Sequence, residues 1–356
     1  MKIFFLCKRR PQGRDLLTRP YGRFFNLPRE LCHRGHESYL LLLNYRNEPS
    51  VREEKHGIIW ISECMKPSFS FQYYHRACEL ISAIKPDWVV GFSDTYFGIM
   101  AAHMGKKFGI NTAIDAYDNY ESYIPYLKPL HWLWRRALKN ATIVTAAGPQ
   151  LAELLQLSRP DKPIHIVPMS ADPVFQPIDR TKSRHLLNLP LDKKIVGYFG
   201  SIYRNRGIDV LFKALENVSF RSQDIVLMLT GRKQRGAHLP PNAKWLGYLP
   251  DDKIPYFLNS LDVAIVSNQE SSFGKYSYPV KLYEAMSCQI PLIATATKPA
   301  RWILNDRDQF LSSPGNSDEL AQKISNLLTM GRYDYGALTD WTKSSQEFEN
   351  ALKSET

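Results

Sequence analysis

The stretch YPVKLYEAMSCQIPLIAT at 278–295 places a lysine and a glutamate three positions apart, just ahead of an apolar run. Pro279 suits the first turn of a helix, where a missing N–H is no loss. A helix begun there sets Lys281 and Glu284 on one face within two turns. If that helix opens at the carboxyl end of an α/β sheet, its N-terminal N–H groups attract phosphate. A carboxylate beside them can accept two vicinal hydroxyls. Tyr278, Pro279, Val280, Lys281 and Glu284 are therefore candidates for holding a ribose and its phosphates. The plainer alternative is a surface i,i+3 ion pair, worth only about a few tenths of a kcal/mol.

Two more loops repeat the theme. In VGYFGSIYRNRGIDVLFKAL, 196–215, a strand ends at Gly200, Ser201 follows, and Arg204 and Arg206 precede a helix that opens after Gly207. Glycine lets a ligand approach the backbone, and guanidinium groups can clamp a diphosphate in bidentate fashion. LTGRKQRG, 229–236, again ends a strand in glycine and arginine, here Gly231 and Arg232. Each is equally a routine β–α loop with solvated charges. In the first half, DAYDNYESY follows a strand, so Asp115, Asp118 and Asn119 are candidate hydroxyl ligands or proton handlers. Capping of the following helix is their competing role. Apart from His33 and His36 in HRGH, the nine histidines are scattered along the chain. We assign no metal site, and His103 reads as structural within a helix.

These residues need a scaffold that presents strand ends. The first half supplies KIFFLC, SYLLLLNY, GIIWIS, DWVVGFS, NTAIDAY and ATIVTAA as strands, with TYFGIMAAHMGKKFGI as the clearest helix, stopped by Gly109. A polar stretch with four prolines around 164–192 has the texture of a linker. Alternation resumes with KIVGYFGS, IVLMLTG, AKWLGYL, DVAIVSN and IPLIATAT. The pattern is that of β–α–β units on two parallel sheets. The expected division is an N-terminal domain over 1–168, a linker over 169–192, a second domain over 193–335, and a closing helix over 336–356 that packs back across the surface.

Composition narrows the partners. The 356 residues, 44% hydrophobic, can fill two ordinary cores. No apolar run approaches the roughly 18 residues of a membrane span, and MKIFFLCKRRPQGR turns basic too soon for a signal-peptide core. A cytoplasmic protein is expected, at most peripheral at the inner face of a membrane. The five cysteines, scattered and odd in number, fit reduced core thiols. A net charge of +11 implies an anionic partner: nucleic acid, an anionic membrane surface or a phosphorylated substrate.

Taken together, YPVKLYEAMSCQIPLIAT resembles the signature helix and strand of glycosyltransferase family 4, in which the glutamate aligned with Glu284 holds the ribose of a sugar nucleotide. GSIYRNRGIDVL is similar to that family's diphosphate loop. WLGYLPDDKIPYFLNSLDVAIVSN is similar to its base-binding loop and following strand, which brings in Gly247, Tyr248 and Leu249. IVPMSADPVFQP resembles the start of its C-terminal domain, and LCHRGHES the end of its first helix. The resemblance is continuous over about 140–330. It implies a GT-B fold, two Rossmann-like domains facing across a cleft, with the donor held by the C-terminal domain and the acceptor by the N-terminal one. It also implies transfer with retention and without a metal. Asp118, Arg206 and Glu284 are the catalytic candidates it leaves.

Four departures stand out. The first of the two glutamates common in the family is Tyr276 here; Ser201 stands where an arginine often does; and Arg206 takes the usual place of a lysine. The glycine-rich N-terminal loop is replaced by KRRPQGRDLLTRPYGR, which makes Arg10, Gly13 and Arg14 acceptor-side candidates. Such a basic loop suits a phosphorylated acceptor, for example a lipid-diphosphate-linked sugar at a membrane surface. The expected activity is transfer from a UDP- or GDP-sugar to a carbohydrate or lipid-linked saccharide hydroxyl, in cell-surface polysaccharide or glycoconjugate synthesis. The nucleotide sugar is a substrate, and no cofactor is expected. An inactive sugar-nucleotide-binding relative is one alternative. A nucleic-acid-binding protein is a weaker one, since the arginines sit at strand ends instead of among aromatics on one face. A nicotinamide-dependent dehydrogenase is disfavoured because no G-x-G-x-x-G follows either domain's first strand.

Overall fold

KIFFLCK is apolar on both faces, the mark of a strand buried in the middle of a parallel sheet, and β1 (Lys2–Lys8) pairs in parallel with strands on both sides. The computed structural model describes residues 1–65, 70–203, 207–216, 224–234 and 238–355. They fall into two units, Met1–Ser170 with Thr339–Thr356, and Ala171–Leu338.

In the first unit β1 is followed by α1 (Arg23–His33), β2 (Glu37–Asn44), β3 (Val51–Lys55), β4 (Ile58–Cys64), α2 (Ser70–Ile84) and β5 (Trp88–Gly91). Then come α3 (Thr95–Phe108), β6 (Asn111–Ala116), α4 (Lys128–Asn140), β7 (Ile143–Ala146), α5 (Pro149–Gln156) and β8 (His165–Ile166). Among the described residues the strand order is β3-β4-β2-β1-β5-β6-β7-β8, parallel throughout except for β3 against β4. Phe4, Leu6, Leu41, Tyr73, Phe97 and Met104 anchor the core on one face of this sheet. Helix α3 matches its signals: the Asp94 carboxylate accepts from Tyr96 N–H at 3.0 Å, and Gly109, at φ +67°, ends it. Strand β3, VREEK, has no apolar alternation to betray it, because it is an exposed sheet edge protected by charge.

The second unit contains α6 (Arg180–Leu186), β9 (Lys194–Phe199), α7 (Ile208–Glu216), β10 (Ile225–Thr230), β11 (Ala243–Trp245) and α8 (Ile254–Ser260). It continues with β12 (Val263–Val266), α9 (Val280–Ser287), β13 (Leu292–Thr295), α10 (Lys298–Ile303), β14 (Leu311–Ser312) and α11 (Ser317–Leu327). Its parallel sheet has the order β11-β10-β9-β12-β13-β14. That is the doubly wound arrangement with its switch point between β9 and β12.

The stretch expected as a linker, 169–192, is instead a packed part of the second unit from residue 171 onward. Its polar texture misleads because a buried arginine anchors it. The Arg184 guanidinium donates to Ser260 O at 2.9 Å and to Asp262 Oδ2 at 2.7 Å, and Asp262 also accepts from Ile195 N–H.

The final helix, α12 (Trp341–Lys353), returns to the first unit and packs along α1, with Trp341, Phe348 and Leu352 buried. Glu349 on its inner face is ion-paired to Arg34 and Lys353, and His36 Nε2 lies 3.0 Å from its Oε1. Burial pushes this carboxyl up. Hydrogen bonds from Lys353, Arg34 and His36 more than offset that and bring its pKa from an ordinary 4.5 down to about 2. A depressed carboxylate pKa stabilises the fold above about pH 4.5 and loses that contribution as pH falls towards 2. Glu349→Gln is expected to lower stability at neutral pH and to flatten its dependence on pH between these values. Urea unfolding of both proteins across that range checks it.

Candidate functional site at the sheet switch point

Three strand ends meet in the second unit, and Gly200 and Gly231 let two of their backbones touch. Gly200 ends β9 at φ +141°, Gly231 ends β10 at φ +126°, and Gly247 follows β11 at φ +78°. These values lie where L side chains are strained. Space is as tight as conformation. A Cβ on Gly231 would come within 2.1 Å of Gly200 O. The loops are laced by Gly200 N–H to Thr230 O at 2.8 Å, Gly231 N–H to Gly247 O at 2.9 Å, and Leu249 N–H to Thr230 Oγ1 at 3.4 Å. Ser201, half-buried, accepts from the Tyr198 hydroxyl through its carbonyl at 2.9 Å.

Onto this turn α9 lowers a cation. Pro279 is the N-cap residue and Val280 the first helical one, and the Lys281 ammonium reaches back over Gly200. A Cβ built on Gly200 would lie 1.9 Å from Lys281 Nζ. The ammonium also sits 5.5 Å from the Tyr198 ring centroid and 5.7 Å from that of Phe199. The helix, opening at the end of the loop that follows β12, thus brings its lysine to the end of β9, beside the switch point. Glu284 lies on the same face, one turn on and half-buried. Burial, and then the nearby Glu284 carboxylate, push the Cys288 thiol up to about 12. Tyr278 is buried, edge-on to Trp302 with ring centroids 5.6 Å apart. Arg232 lies 5.9 Å from the ring centroid of the exposed Tyr248. Arg204 and Arg206 lie outside the described residues.

Beside this cluster a cavity of about 360 Å³ opens at the carboxyl ends of β12, β13 and β14. Asn268, Gln269, Glu270, Thr295 and Ser313 supply its polar lining, and Gly207 and Val210 of the α7 turn form one wall. The loop after β12 is fixed by Asn268 N–H to Thr295 Oγ1 at 3.1 Å. It also packs on itself, since a Cβ on Gly274 would meet Gln269 O at 2.0 Å. Glu270, in this lining, is not among the residues singled out by the sequence motifs. The signal was an acid two residues past the run DVAIVSN.

The acceptor-side candidates separate into two groups. Asp115 is fully buried: Arg23 donates to it through Nε at 2.7 Å and Nη2 at 2.6 Å, and the Thr145 hydroxyl donates as well. Arg23 Nη1 ties the pair to Val167 O at 2.8 Å. Asp115 therefore welds α1 to the sheet and is not placed to meet a sugar, a correction that follows from its position inside β6 and not in the loop beyond. Arg10 is likewise engaged, bonded to both Glu48 oxygens and to Asn44 Oδ1, and ion-paired to Asp15. Its neighbour Arg9 pairs with Asp15 and Glu48. The basic loop carries its own counter-ions and does not present these two guanidinium groups to an anion. Hydrogen bonding from Arg10 holds the Glu48 carboxyl below its ordinary value.

The other group remains near the β6 end. Asp118, buried, accepts from the Tyr123 hydroxyl at 2.7 Å. Asn119 occupies the N-cap of a 3-10 turn at Tyr120–Ser122, with no capping bond from its side chain. Gly13 is exposed at φ +83°, and the Arg14 guanidinium stacks 4.7 Å from the Tyr21 ring centroid. Burial and the Asp118 charge raise the Tyr117 hydroxyl pKa. His103 is a surface residue, 3.1 Å from the Tyr74 hydroxyl.

Comparison with known proteins places this geometry. Residues 193–330 match the family model described as glycosyl transferases group 1, and 23–174 match that of glycosyltransferase family 4. TuaC of Bacillus subtilis (strain 168), which carries a provisional designation as a teichuronic acid biosynthesis glycosyltransferase, is 22% identical over 249 residues, 65% of this chain. The match spans 61% of TuaC's length. Sucrose-phosphate synthase from Thermosynechococcus elongatus superposes with a TM-score of 0.78 at 17% identity, covering 99% of this chain and 98% of that one. HepE of Anabaena, solved in complex with UDP, gives a TM-score of 0.73 at 17% identity, covering 99% and 100%.

Two substitutions separate scaffold from site. Arg23→Met strands a buried carboxylate and is expected to cost the first unit about 3–5 kcal/mol, measured by urea unfolding. Gly200→Ala places a methyl where the Lys281 ammonium sits. The flexible lysine yields, so a loss of only about 1–2 kcal/mol is expected, together with a shifted Lys281 visible in a crystal structure of the variant.

Proposed function

Because the chain belongs to the family 4 type of GT-B glycosyltransferases, we propose that it moves a sugar from a UDP- or GDP-sugar to a hydroxyl of a carbohydrate or lipid-linked saccharide acceptor, with retention of anomeric configuration. The observation that carries this reading is the Lys281 ammonium held over the Gly200 turn at the switch point of the second sheet. A diphosphate laid across that turn meets a cation and the N-terminus of α9 together. The N–H groups of Gly200 and Gly231 are already spent within the loops, so the charge on the departing diphosphate falls mainly to Lys281 and the helix end. Arg204 and Arg206 belong by sequence to the same loop.

Glu284, one turn further along α9, is the ligand for the ribose hydroxyls. The exposed Tyr248 and the backbone after Gly247 are the groups to read the base. Glu270 and Asn268, lining the neighbouring cavity, take the place of the glutamate replaced by Tyr276 in contacting the donor sugar. In transfer with retention, the leaving phosphate accepts the proton of the attacking hydroxyl on the same face of the sugar, so the protein need supply no strong base. Asp118, braced by Tyr123, is proposed to orient the acceptor. Protein cations standing at the diphosphate favour a reaction that proceeds without a divalent metal. The likeness to HepE, solved with UDP, makes UDP the first nucleotide to test. A role in cell-surface polysaccharide or glycoconjugate synthesis fits the likeness to TuaC.

Calorimetric titration with UDP, GDP and ADP in EDTA is the test. One nucleoside diphosphate is expected to bind, and Glu284→Ala is expected to weaken it at least about a hundredfold, the loss of a charge-assisted contact to two hydroxyls. Unchanged affinity in that folded variant would remove Glu284 from the site.

A further inference from the structure

The first unit exposes a block of apolar residues that its own fold leaves uncovered. Tyr123, Ile124, Pro125, Tyr126 and Leu127 are consecutive and all exposed, Tyr126 to 81%. Helix α4 follows at once. Its inner face buries His131, Trp134, Ala137 and Leu138 against the unit. Its outer face carries Pro129, Trp132 and Leu133, with Trp132 60% exposed. Other exposed apolar side chains, such as Phe71 and Leu157, are scattered singly, which is ordinary. A contiguous patch that joins a loop tip to a helix face is not.

Charge indicates what would cover it. Lys128, Arg136 and Lys139 are exposed around the patch, and the Arg136 guanidinium lies 5.5 Å from the Trp132 ring centroid. The one acid between residues 120 and 140, Glu121, is bound in bidentate fashion by Arg135. What remains is an apolar wedge of Ile, Leu, Tyr and Trp framed by cations that pair with no carboxylate among the described residues. A helix with such a face lies in the interface of an anionic bilayer, its apolar side among the acyl chains and its lysines and arginines at the phosphates. A nucleic-acid surface would need stacking aromatics without the aliphatic wedge, and a protein partner would not call for cations on every side. Among the described residues no helix is long and apolar enough to cross a membrane, so contact would be peripheral.

We infer that residues 123–139 form a docking surface for an anionic lipid bilayer. The membrane-facing element is thus this loop and helix, and not the arginine-rich loop at 8–23 that charge alone suggests, whose Arg9 and Arg10 are paired with Asp15 and Glu48. The inference is independent of the transfer reaction, and its test contains no nucleotide.

The full chain is to be sedimented with vesicles of phosphatidylcholine alone and of phosphatidylcholine with phosphatidylglycerol, at low and high salt. Binding to the anionic vesicles, weakened by salt, is expected. Trp132→Ala with Leu133→Ser should reduce it at least about tenfold. Arg136→Glu with Lys139→Glu should do the same and abolish the preference for anionic lipid. Thermal unfolding verifies that each variant is folded. Should a helix variant not fold, Tyr126→Ser, at a loop tip outside the core, repeats the test. Absence of wild-type binding to anionic vesicles overturns the inference, as does equal binding by the folded variants. It is also overturned if the same substitutions abolish RNA binding or self-association while vesicles are ignored.

Discussion

The second unit depends on the approach of two backbones at Gly200 and Gly231. A single methyl at the latter would overlap the former's carbonyl. With both positions glycine, β9 and β10 end at the same level, and their loops can be sewn to the one after β11. The resulting floor is flat enough for a lysine from α9 to be laid across it. A bulkier turn would hold the helix end away and leave the ammonium in water, where its interaction with an anion is screened. Close packing of main chain is thus what converts a surface cation into a local field.

The two units handle charge differently. In the first, arginines are largely consumed by the fold. Arg23 holds a fully buried carboxylate, Arg9 and Arg10 share Asp15 and Glu48, and Arg159 donates to the carbonyls of Leu138 and Thr142 at the end of α4. Around α4, by contrast, Lys128, Arg136 and Lys139 border exposed apolar surface. In the second unit, the cations of interest stand at strand ends. A net charge of +11 summarises these situations in one number and distinguishes none of them.

Much of this was legible in the sequence. Ten or more strands announced themselves as apolar runs, α3 by the Gly109 that stops it, and the switch-point helix by Pro279, Lys281 and Glu284. What stayed hidden had physical reasons. Strand β3 is a charged edge, and β14 is only Leu311–Ser312, too short for any period. The packed segment after residue 171 resembled a linker because its anchor is Arg184, and sequence patterns count arginine as surface. Asp115 and Asp118 are separated by a single turn of loop, yet one is sealed inside β6 by Arg23 and the other lies beyond the strand end. Alternation alone cannot locate that boundary. The partners of Arg10 lie at Asp15, Asn44 and Glu48, and only the fold brings the latter two to it.

Helix α12 carries one more consequence. The first unit is assembled from 1–170 and from 339 onward, so the second unit is, in sequence, an insertion within the first. During synthesis α1 stands without its partner until residues 341–353 have been made. The whole second unit is translated in between, a delay on the order of ten seconds at ordinary elongation rates. Over that interval the surface of α1 later covered by Trp341, Phe348 and Leu352 is open, and the carboxylate destined for Arg34 and His36 does not yet exist. The second unit, continuous in sequence, has no such wait. Contrary to the usual order along a growing chain, the part that begins first is the part completed last.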